Sequence, residues 1–229
     1  MTDLDQLWLE LTAAVLAAAP GAVIAAGDIR ALRDDFDLAR EQDLTGLDCA
    51  VSLAFPLPPD SLGGIKDGPT LLYKHAYTQL NYLMDRVGLA VSHRLMAAGF
   101  RALPIAASQL TDWERLRGHV DHRRVASHLG LGWYGRNNLL VTPGRGAQVR
   151  LVTVLTDAAL DHPGEWAGRE SGCGDCRACV AVCPVAAIHD GPESFDRPAC
   201  AARTREFEKV RGIGQRICGV CVRACGGKR

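Results

Sequence analysis

The sequence lacks a long apolar run, a basic N-terminus and an excess of charge of either sign. No apolar stretch approaches the roughly 20 residues that a membrane-spanning helix needs, so we expect no membrane segment. Residues Met1 to Asp5 are acidic, whereas a secretory signal begins with positive charge. A cytoplasmic protein is therefore expected. The 26 basic and 26 acidic side chains cancel to a net charge of zero, which argues against a surface built to bind DNA.

Cysteine is almost absent from the first three quarters of the chain and concentrated in the last. Cys49 is the single cysteine before residue 173, and the other eight follow from there. The run from Cys173 to Pro184 reads C-x-x-C-x-x-C-x-x-x-C-P, the spacing of bacterial ferredoxin-type iron–sulfur sites. The isolated Cys200 and a second run, C-x-x-C-x-x-x-C from Cys218, come after it. Eight thiolates match two [4Fe–4S] clusters with four ligands each.

The spacing predicts crossed ligand sets. In two-cluster proteins the fourth cysteine of such a run serves the other cluster. One set is expected to comprise Cys173, Cys176, Cys179 and Cys225. The other is expected to comprise Cys200, Cys218, Cys221 and Cys183.

Disulfides and zinc are the alternative interpretations of these cysteines. A disulfide framework is typical of small secreted domains, and it fits poorly with a long preceding segment that contains only Cys49. Zinc would take two pairs of thiolates and leave Pro184 and half of the thiols unexplained. Cys49 itself lies in an apolar run, which favours a small buried side chain over a ligand.

Hydrophobic periodicity predicts an α/β (mixed α+β) fold for the preceding segment. Helical spacing covers Leu4 to Leu16 and Tyr73 to Leu95, and Gly99 is expected to end the second helix. A shorter helix should run from Asp121, its N-cap, to Leu129. Residues 28–43 fit a helix or a loop equally. Apolar runs predict strands at 22–26, 49–55, 103–107, 138–142 and 148–156.

A linker at 157–172, which contains Pro163 and Gly164, predicts the domain boundary. Residues 1–160 are then an α/β domain with a cofactor or substrate site. Residues 161–229 are a ferredoxin-like domain that binds two [4Fe–4S] clusters. Because the first domain is long enough for its own core and pocket, we expect it to bind whatever receives electrons from the clusters.

The segment Gly130–Asn138 is the stretch of the first domain that most resembles a ligand-binding loop. Its three glycines would let backbone amides approach a ligand, and Trp133 and Tyr134 offer flat apolar faces. A helix C-cap followed by a tight turn explains the same residues equally well. The glycines match G-x-G-x-x-G but follow a predicted helix rather than a strand, so a dinucleotide fingerprint is not indicated.

The segment His122–Ala126, leading into Gly130–Leu140, resembles the signature of epoxyqueuosine reductases. Further resemblance is carried by residues 155–160, by the two-run cysteine module with the isolated Cys200, and by Gly68-Pro69-Thr70 with Tyr73 and Tyr77. The helical-repeat extension of full-length members has no counterpart after Cys225, so the sequence resembles a short, divergent branch.

This resemblance implies two [4Fe–4S] clusters and a cobalamin, as in the related reductive dehalogenases. It implies that the clusters reduce the cobalamin, which reduces an epoxide on tRNA in queuosine synthesis. A low-potential donor of the flavodoxin or ferredoxin type would supply the electrons. The resemblance also implies cofactor-binding roles for Ser108, Gly130, Gly132, Trp133, Tyr134, Gly135, Asn137 and Asn138.

The catalytic residues are the weakest part of the resemblance. The family's proton-donating aspartate has no counterpart in the segment 103–112, where Asp112 is the nearest acid. We take Asp112 and His122 as catalytic candidates, with Asp121 as a third. A helix cap or a surface charge is the alternative interpretation of each.

Two other functions are compatible with the sequence. The chain could be an electron-transfer or corrinoid-activating iron–sulfur protein that docks a partner and has no substrate chemistry of its own. It could also be a structural iron–sulfur module that binds nucleic acid, which the neutral net charge disfavours.

Overall fold

The fold is known from a computed structural model that describes residues 2–37, 43–112, 117–210 and 213–227. The chain divides into two compact units. Unit 1 contains residues 1–55, 81–132 and 150–169, and unit 2 contains residues 56–80, 133–149 and 170–229. This division differs from the predicted boundary at residue 160, because 56–80 and 133–149 pack with the cysteine-rich segment. A boundary read along the chain cannot show such an exchange of segments.

Unit 1 is built on a four-stranded sheet. Its strands are β1 (Val23–Asp28), β2 (Cys49–Pro56), β3 (Ala102–Ile105) and β6 (Val149–Thr156), in the order β1-β2-β6-β3. β1 pairs with β2 antiparallel, with Val23 opposite Ala54 and Asp28 opposite Cys49. β3 pairs with β6 antiparallel, with Ala102 opposite Thr156. β2 and β6 read as nearly continuous apolar runs because both are central in the sheet and buried along most of their length.

Three helices accompany this sheet: α1 (Asp3–Ala18), most of α2 (Leu71–Ala97) and α3 (His122–His128). α1 starts with a capping box between Thr2 and Asp5 and buries Leu7, Leu11 and Val15. Gly99 terminates α2: it has φ +89° and its N–H binds the Met96 carbonyl, as in a Schellman motif. No described helix is both long enough and apolar enough to cross a bilayer.

Unit 2 contains a two-stranded hairpin, β4 (Trp133–Tyr134) and β5 (Leu140–Val141), in which Trp133 lies opposite Val141. It also contains α4 (Ala178–Val182), α5 (Arg197–Val210) and α6 (Val220–Ala224), and α4 packs against α6. Its apolar core comprises Leu57, Leu62, Ile65, Tyr73, Ile213, Ile217 and Val220.

The mixed α/β class and most predicted elements are confirmed, and the strand predicted at 138–142 is shorter than expected. Strand β5 covers only Leu140–Val141. Asn138 has φ +56° in the turn of the hairpin, and β5 pairs with β4. The ambiguous segment 28–43 forms a short 3-10 helix at Arg30–Asp35, and residues 38–42 lie outside the described residues.

Candidate functional site

The two cysteine runs have matching local structure in unit 2. Cys173 and Cys176 precede α4, Cys179 lies in it, and Cys183 directly follows it. In the same way Cys218 precedes α6, Cys221 lies in it, and Cys225 directly follows it. Cys200 is on α5. All nine cysteines are free thiols, so the disulfide framework is not formed.

The thiols of the first predicted ligand set are close enough to influence one another. Burial, together with repulsion from the Cys225, Cys173 and Cys176 thiols, raises the pKa of Cys179 to about 11. Burial also raises the pKa of Cys225, with further contributions from Cys173 and Cys176. The structure therefore brings Cys225 to the three thiols that lie about fifty residues before it, as the crossed assignment expects.

The second predicted set is brought together in the same way. Burial, followed by the Cys218 and Cys183 thiols, raises the pKa of Cys200 to about 11. Burial, followed by Cys218 and Cys200, also raises the pKa of Cys221. The Cys179 thiol contributes to the same shift, so the two sets are adjacent in unit 2.

This donor chemistry suits a positively charged metal core. Thiols that are buried among other thiols resist deprotonation, because each thiolate is poorly solvated and repelled by its neighbours. The irons of a cluster bound by these thiolates would supply the compensating positive charge. Among the described residues, no three His, Cys, Asp or Glu side chains are grouped as they would be around a single metal ion.

The β4–β5 hairpin lies against the first ligand set. The Trp133 indole N–H donates to the Sγ of Cys173 at 3.3 Å. A Cβ on Gly172 would lie 2.8 Å from the Trp133 ring, so a glycine is needed where the ring packs. The Arg136 guanidinium donates to the Gly174 carbonyl at 2.8 Å. Burial alone would raise the pKa of Cys173, but hydrogen bonds from Trp133 and the Arg136 backbone N–H outweigh it and lower that pKa.

Gly130 has a structural role at the end of α3, in unit 1. Its φ is +82°, its N–H binds the Ser127 carbonyl, and the Leu131 N–H binds the Ala126 carbonyl, which together make a Schellman cap. A Cβ on Gly130 would lie 2.4 Å from the Ala167 backbone nitrogen. The space left by the missing side chain of Gly130 is thus filled by the Ala167 backbone. Gly132, also predicted to bind a cofactor, is buried in the same unit.

The remaining residues of the predicted cofactor loop form the hairpin turn of unit 2. The Gly135 N–H binds the Leu139 carbonyl at 2.8 Å, and the Asn138 N–H binds the Gly135 carbonyl at 2.9 Å. Asn138 takes the left-handed conformation, which asparagine tolerates better than most residues. Asn137 is 3% exposed, and its Nδ2 has no hydrogen-bond partner among the described residues. Tyr134 is half-buried.

The catalytic candidates belong to unit 1. Both ring nitrogens of His122 are engaged: Nδ1 lies 2.8 Å from the Thr153 hydroxyl and Nε2 lies 3.1 Å from the Ala106 carbonyl. Burial lowers the pKa of His122. Asp121 caps α3, as its alternative interpretation predicts. Asp112 is half-buried and exchanges backbone hydrogen bonds with Arg117, and Ser108 is exposed.

Sequence reasoning missed two contributors to the cysteine site. Arg136 contributes its backbone N–H and its guanidinium, and only its position inside the glycine-rich stretch could have pointed to it. Gly146 has φ +62°, and a Cβ there would lie 2.0 Å from the Cys225 carbonyl oxygen. Nothing in the local sequence of Gly146 indicates a neighbour that is so distant along the chain.

A cavity of about 750 Å³ lies in unit 1, away from the predicted residues. Its lining residues are Arg30, Arg33, Asp34, Asp43, Leu44, Thr45 and Asp48. Charges of both signs face it, and Arg33 is already paired with Asp48 and the Leu44 carbonyl. None of the predicted cofactor or catalytic residues contributes to this cavity.

The chain is similar in sequence to curated epoxyqueuosine reductases. It is 33% identical over 118 residues to the one from Bacillus anthracis, a match that covers 47% of this chain and 30% of that protein. It is 33% identical over 148 residues to the one from Synechococcus sp., covering 58% of this chain and 44% of that protein. The chain thus spans less than half of the length of either relative. No family model matches the chain.

Solved structures show the same relationship at the level of fold. An epoxyqueuosine reductase with an epoxyqueuosine-modified tRNA-Tyr stem loop gives a TM-score of 0.62 at 18% identity, covering 97% of this chain and 65% of that one. A reductive dehalogenase with B12-dependent dehalogenation gives a TM-score of 0.59 at 18% identity, covering 78% of this chain and 25% of that one. The chain is therefore similar to epoxyqueuosine reductases in sequence and fold, and to reductive dehalogenases in fold.

Proposed function

We propose that the chain is an iron–sulfur oxidoreductase that holds two [4Fe–4S] clusters in unit 2. One cluster would be bound by Cys173, Cys176, Cys179 and Cys225, and the other by Cys183, Cys200, Cys218 and Cys221. The observation that carries this proposal is the crossed proximity of the thiols, in which Cys225 influences Cys179 and Cys183 influences Cys200. Its redox class agrees with the epoxyqueuosine reductases among the relatives.

The bound clusters would supply one-electron transfer at low potential. The contribution of the chain is to fix and shield the thiolates. α4 and α6 pack together and hold one cysteine each, while the Trp133 indole and the Ala187 N–H donate to Cys173 and Cys183. Such donors fix the orientation of a metal ligand and reduce its charge density. A flavodoxin or ferredoxin is the proposed electron donor.

For the substrate we propose epoxyqueuosine in tRNA or a related compound, because a solved neighbour holds an epoxyqueuosine-modified tRNA stem loop. For the second cofactor we propose cobalamin, because a dehalogenase neighbour is B12-dependent. The residues predicted to bind it fit only in part. Gly130 and Gly135 are used by backbone turns and Trp133 by Cys173, whereas Asn137 retains an unpartnered buried Nδ2 and Tyr134 is half-buried. We derive no reaction step through that cofactor.

The test is a cofactor inventory of anaerobically purified protein, followed by titration with cob(II)alamin. Two clusters per chain, by iron and acid-labile sulfide, are expected, together with a shifted corrin spectrum. Protein with fewer than two clusters after reconstitution would refute the iron–sulfur proposal. Two clusters without corrin binding at tens of micromolar would refute the cobalamin proposal alone.

The state of His122 favours a second candidate function. Both of its ring nitrogens are engaged within unit 1 and its pKa is lowered, so it is poorly suited to deliver a proton at neutral pH. An electron-transfer or corrinoid-activating protein needs no such donor. It would reduce the cobalamin of a separate corrinoid protein and leave an epoxyqueuosine-containing tRNA stem loop unchanged. Turnover of that stem loop by the cobalamin-loaded chain would exclude this alternative.

A further inference from the structure

The two predicted ligand sets differ in the groups that surround them. Cys173 accepts the Trp133 indole N–H at 3.3 Å and the Arg136 backbone N–H. The backbone N–H groups of Ala147 and Gly227 lie near the thiol of Cys225, in the same set, and the Ala147 N–H binds the Cys225 carbonyl at 3.3 Å. Hydrogen bonds to a ligand sulfur withdraw negative charge from it.

One cation near the first set acts in the same direction. The Arg136 guanidinium lies near Cys173, and its Nε has no hydrogen-bond partner among the described residues. Within the described part of the chain, the buried Nδ2 of Asn137 also has no hydrogen-bond partner. These donors belong to one turn, whose neighbour Trp133 contacts Cys173. The sulfides of a bound cluster are acceptors for such donors. Cys176 is also exposed to water, which stabilises added negative charge.

Among the described residues, the second set has fewer donors and a carboxylate close to one of its thiols. Cys183 accepts the Ala187 backbone N–H at 3.2 Å, and the Val220 backbone N–H lies near the Cys218 thiol. The Asp196 carboxylate acts on Cys200, where no cation opposes it among the main contributions. At Cys218 the Arg203 guanidinium outweighs the Asp67 carboxylate. Carboxylates beside a cluster make the addition of an electron less favourable.

We propose that the two clusters are electronically inequivalent, with the cluster of Cys173, Cys176, Cys179 and Cys225 having the higher reduction potential, and that Trp133 is the positioning residue that raises it through Cys173. The inference depends on the proposed function, because it needs both clusters. In the step concerned, an oxidised cluster accepts one electron from an external reductant such as dithionite, and no bond is made or broken. The indole hydrogen bond favours the reduced cluster because its sulfurs carry more negative charge.

The test is a potentiometric titration of the reconstituted protein with dithionite, followed by electron paramagnetic resonance. The wild type should show two midpoint potentials. Trp133→Phe keeps an aromatic ring against Gly172 and removes the N–H, so the higher potential should fall while the lower one is unchanged. We expect about a tenfold change in the ratio of reduced to oxidised cluster at fixed potential, which is about 59 mV for one electron.

Two further variants make the result decisive. Trp8→Phe is the matched control, because Trp8 stacks on His162 in unit 1 and a phenyl ring can do the same; both potentials should be unchanged. Asp196→Asn should raise only the lower potential, since it removes a carboxylate near Cys200. It keeps the side-chain oxygen that accepts the Ala199 N–H. This variant decides the order of the clusters even if Trp133→Phe fails to assemble.

The possible failures are distinguishable. Fewer than two clusters in the wild type would overturn both the proposed function and this inference. Two clusters whose potentials coincide would overturn the inference alone. So would a Trp133→Phe protein with unchanged potentials, or an Asp196→Asn protein in which the higher potential moves.

Discussion

His122 is a half-buried histidine of unit 1 whose pKa is lowered. Burial lowers its pKa below 6.5, partly opposed by a hydrogen bond with the Ala106 carbonyl and by the Asp121 and Asp85 carboxylates, while Arg150 lowers it further. In the unfolded chain its pKa returns to about 6.5. The unfolded state therefore takes up a proton first as the pH falls through about 6.5, and the folded state loses stability from that pH downwards.

Replacing His122 by glutamine should remove this pH dependence. Glutamine offers a donor and an acceptor but does not titrate. Between about pH 7.5 and pH 5.5 the wild type should lose more apparent melting temperature than His122→Gln, measured anaerobically on cluster-loaded protein. The slope of melting temperature against pH is compared between the two proteins, because the carboxylates that titrate in both contribute equally to both slopes. Equal slopes would show that His122 is not the responsible group.

Alanine substitutions at Gly130 and Gly99 can separate the effect of packing on stability from the effect of backbone conformation. Both are the left-handed C-terminal glycines of helices, with φ +82° and +89°. A Cβ on Gly130 meets the Ala167 backbone nitrogen at 2.4 Å, whereas a Cβ on Gly99 meets nothing within 4 Å. Alanine at either position must adopt the left-handed conformation, which costs about 1–2 kcal/mol.

Gly130→Ala should lower the free energy of unfolding by about 1–3 kcal/mol more than Gly99→Ala does, because only the methyl group at position 130 overpacks its surroundings. Denaturant unfolding of the two variants measures the difference. The iron content of both should match that of the wild type, since unit 1 holds none of the predicted ligands. Equal losses in the two variants would mean that the loop at Ala167 moves aside without cost.

At the scale of elements, the turn that follows the β4–β5 hairpin packs closely against Cys225. Gly146 has φ +62°, and a Cβ there would lie 2.0 Å from the Cys225 carbonyl oxygen and 2.5 Å from the Gly227 nitrogen. The Ala147 N–H also binds the Cys225 carbonyl at 3.3 Å. This turn therefore positions the segment that carries the fourth thiol of the first set.

Gly146→Ala should displace Cys225 and impair the first cluster more than the second. Gly144→Ala is the matched control, since Gly144 lies in the same turn with φ +71° and has open space around its Cβ position. The measurement is the content of each cluster, resolved by electron paramagnetic resonance after anaerobic reconstitution. If both glycine variants retain full cluster content, the turn does not position Cys225.

Elements defined by local pattern were predictable from the sequence, and elements defined by distant partners were not. The periodicity of α2 and its end at Gly99 are local properties, as is the N-cap of α3 at Asp121. The pairing of Trp133 with Val141 is not, because alternation alone does not say which strand is the partner. For the same reason the cysteine spacing indicated the site, whereas the role of Gly146 required the structure.

At the scale of the molecule, the fourth cysteine of each run lies near thiols of the other run within unit 2. Cys183 follows α4 but influences Cys200, and Cys225 follows α6 but influences Cys179. Neither run would hold its cluster without the other. Loss of one thiolate should therefore affect the cluster to which it is near in space, rather than the one bound by its own run.

Serine substitutions test this arrangement directly. Cys225→Ser should weaken or remove the same cluster signal as Cys176→Ser, and Cys183→Ser the same signal as Cys200→Ser. Cys49→Ser is the control, because Cys49 lies on β2 of unit 1 and both clusters should remain. The readout is iron content together with the electron paramagnetic resonance of each reduced cluster. If Cys225→Ser instead affects the cluster that depends on Cys218, the runs bind separately, and the crossed arrangement on which the order of potentials depends is wrong.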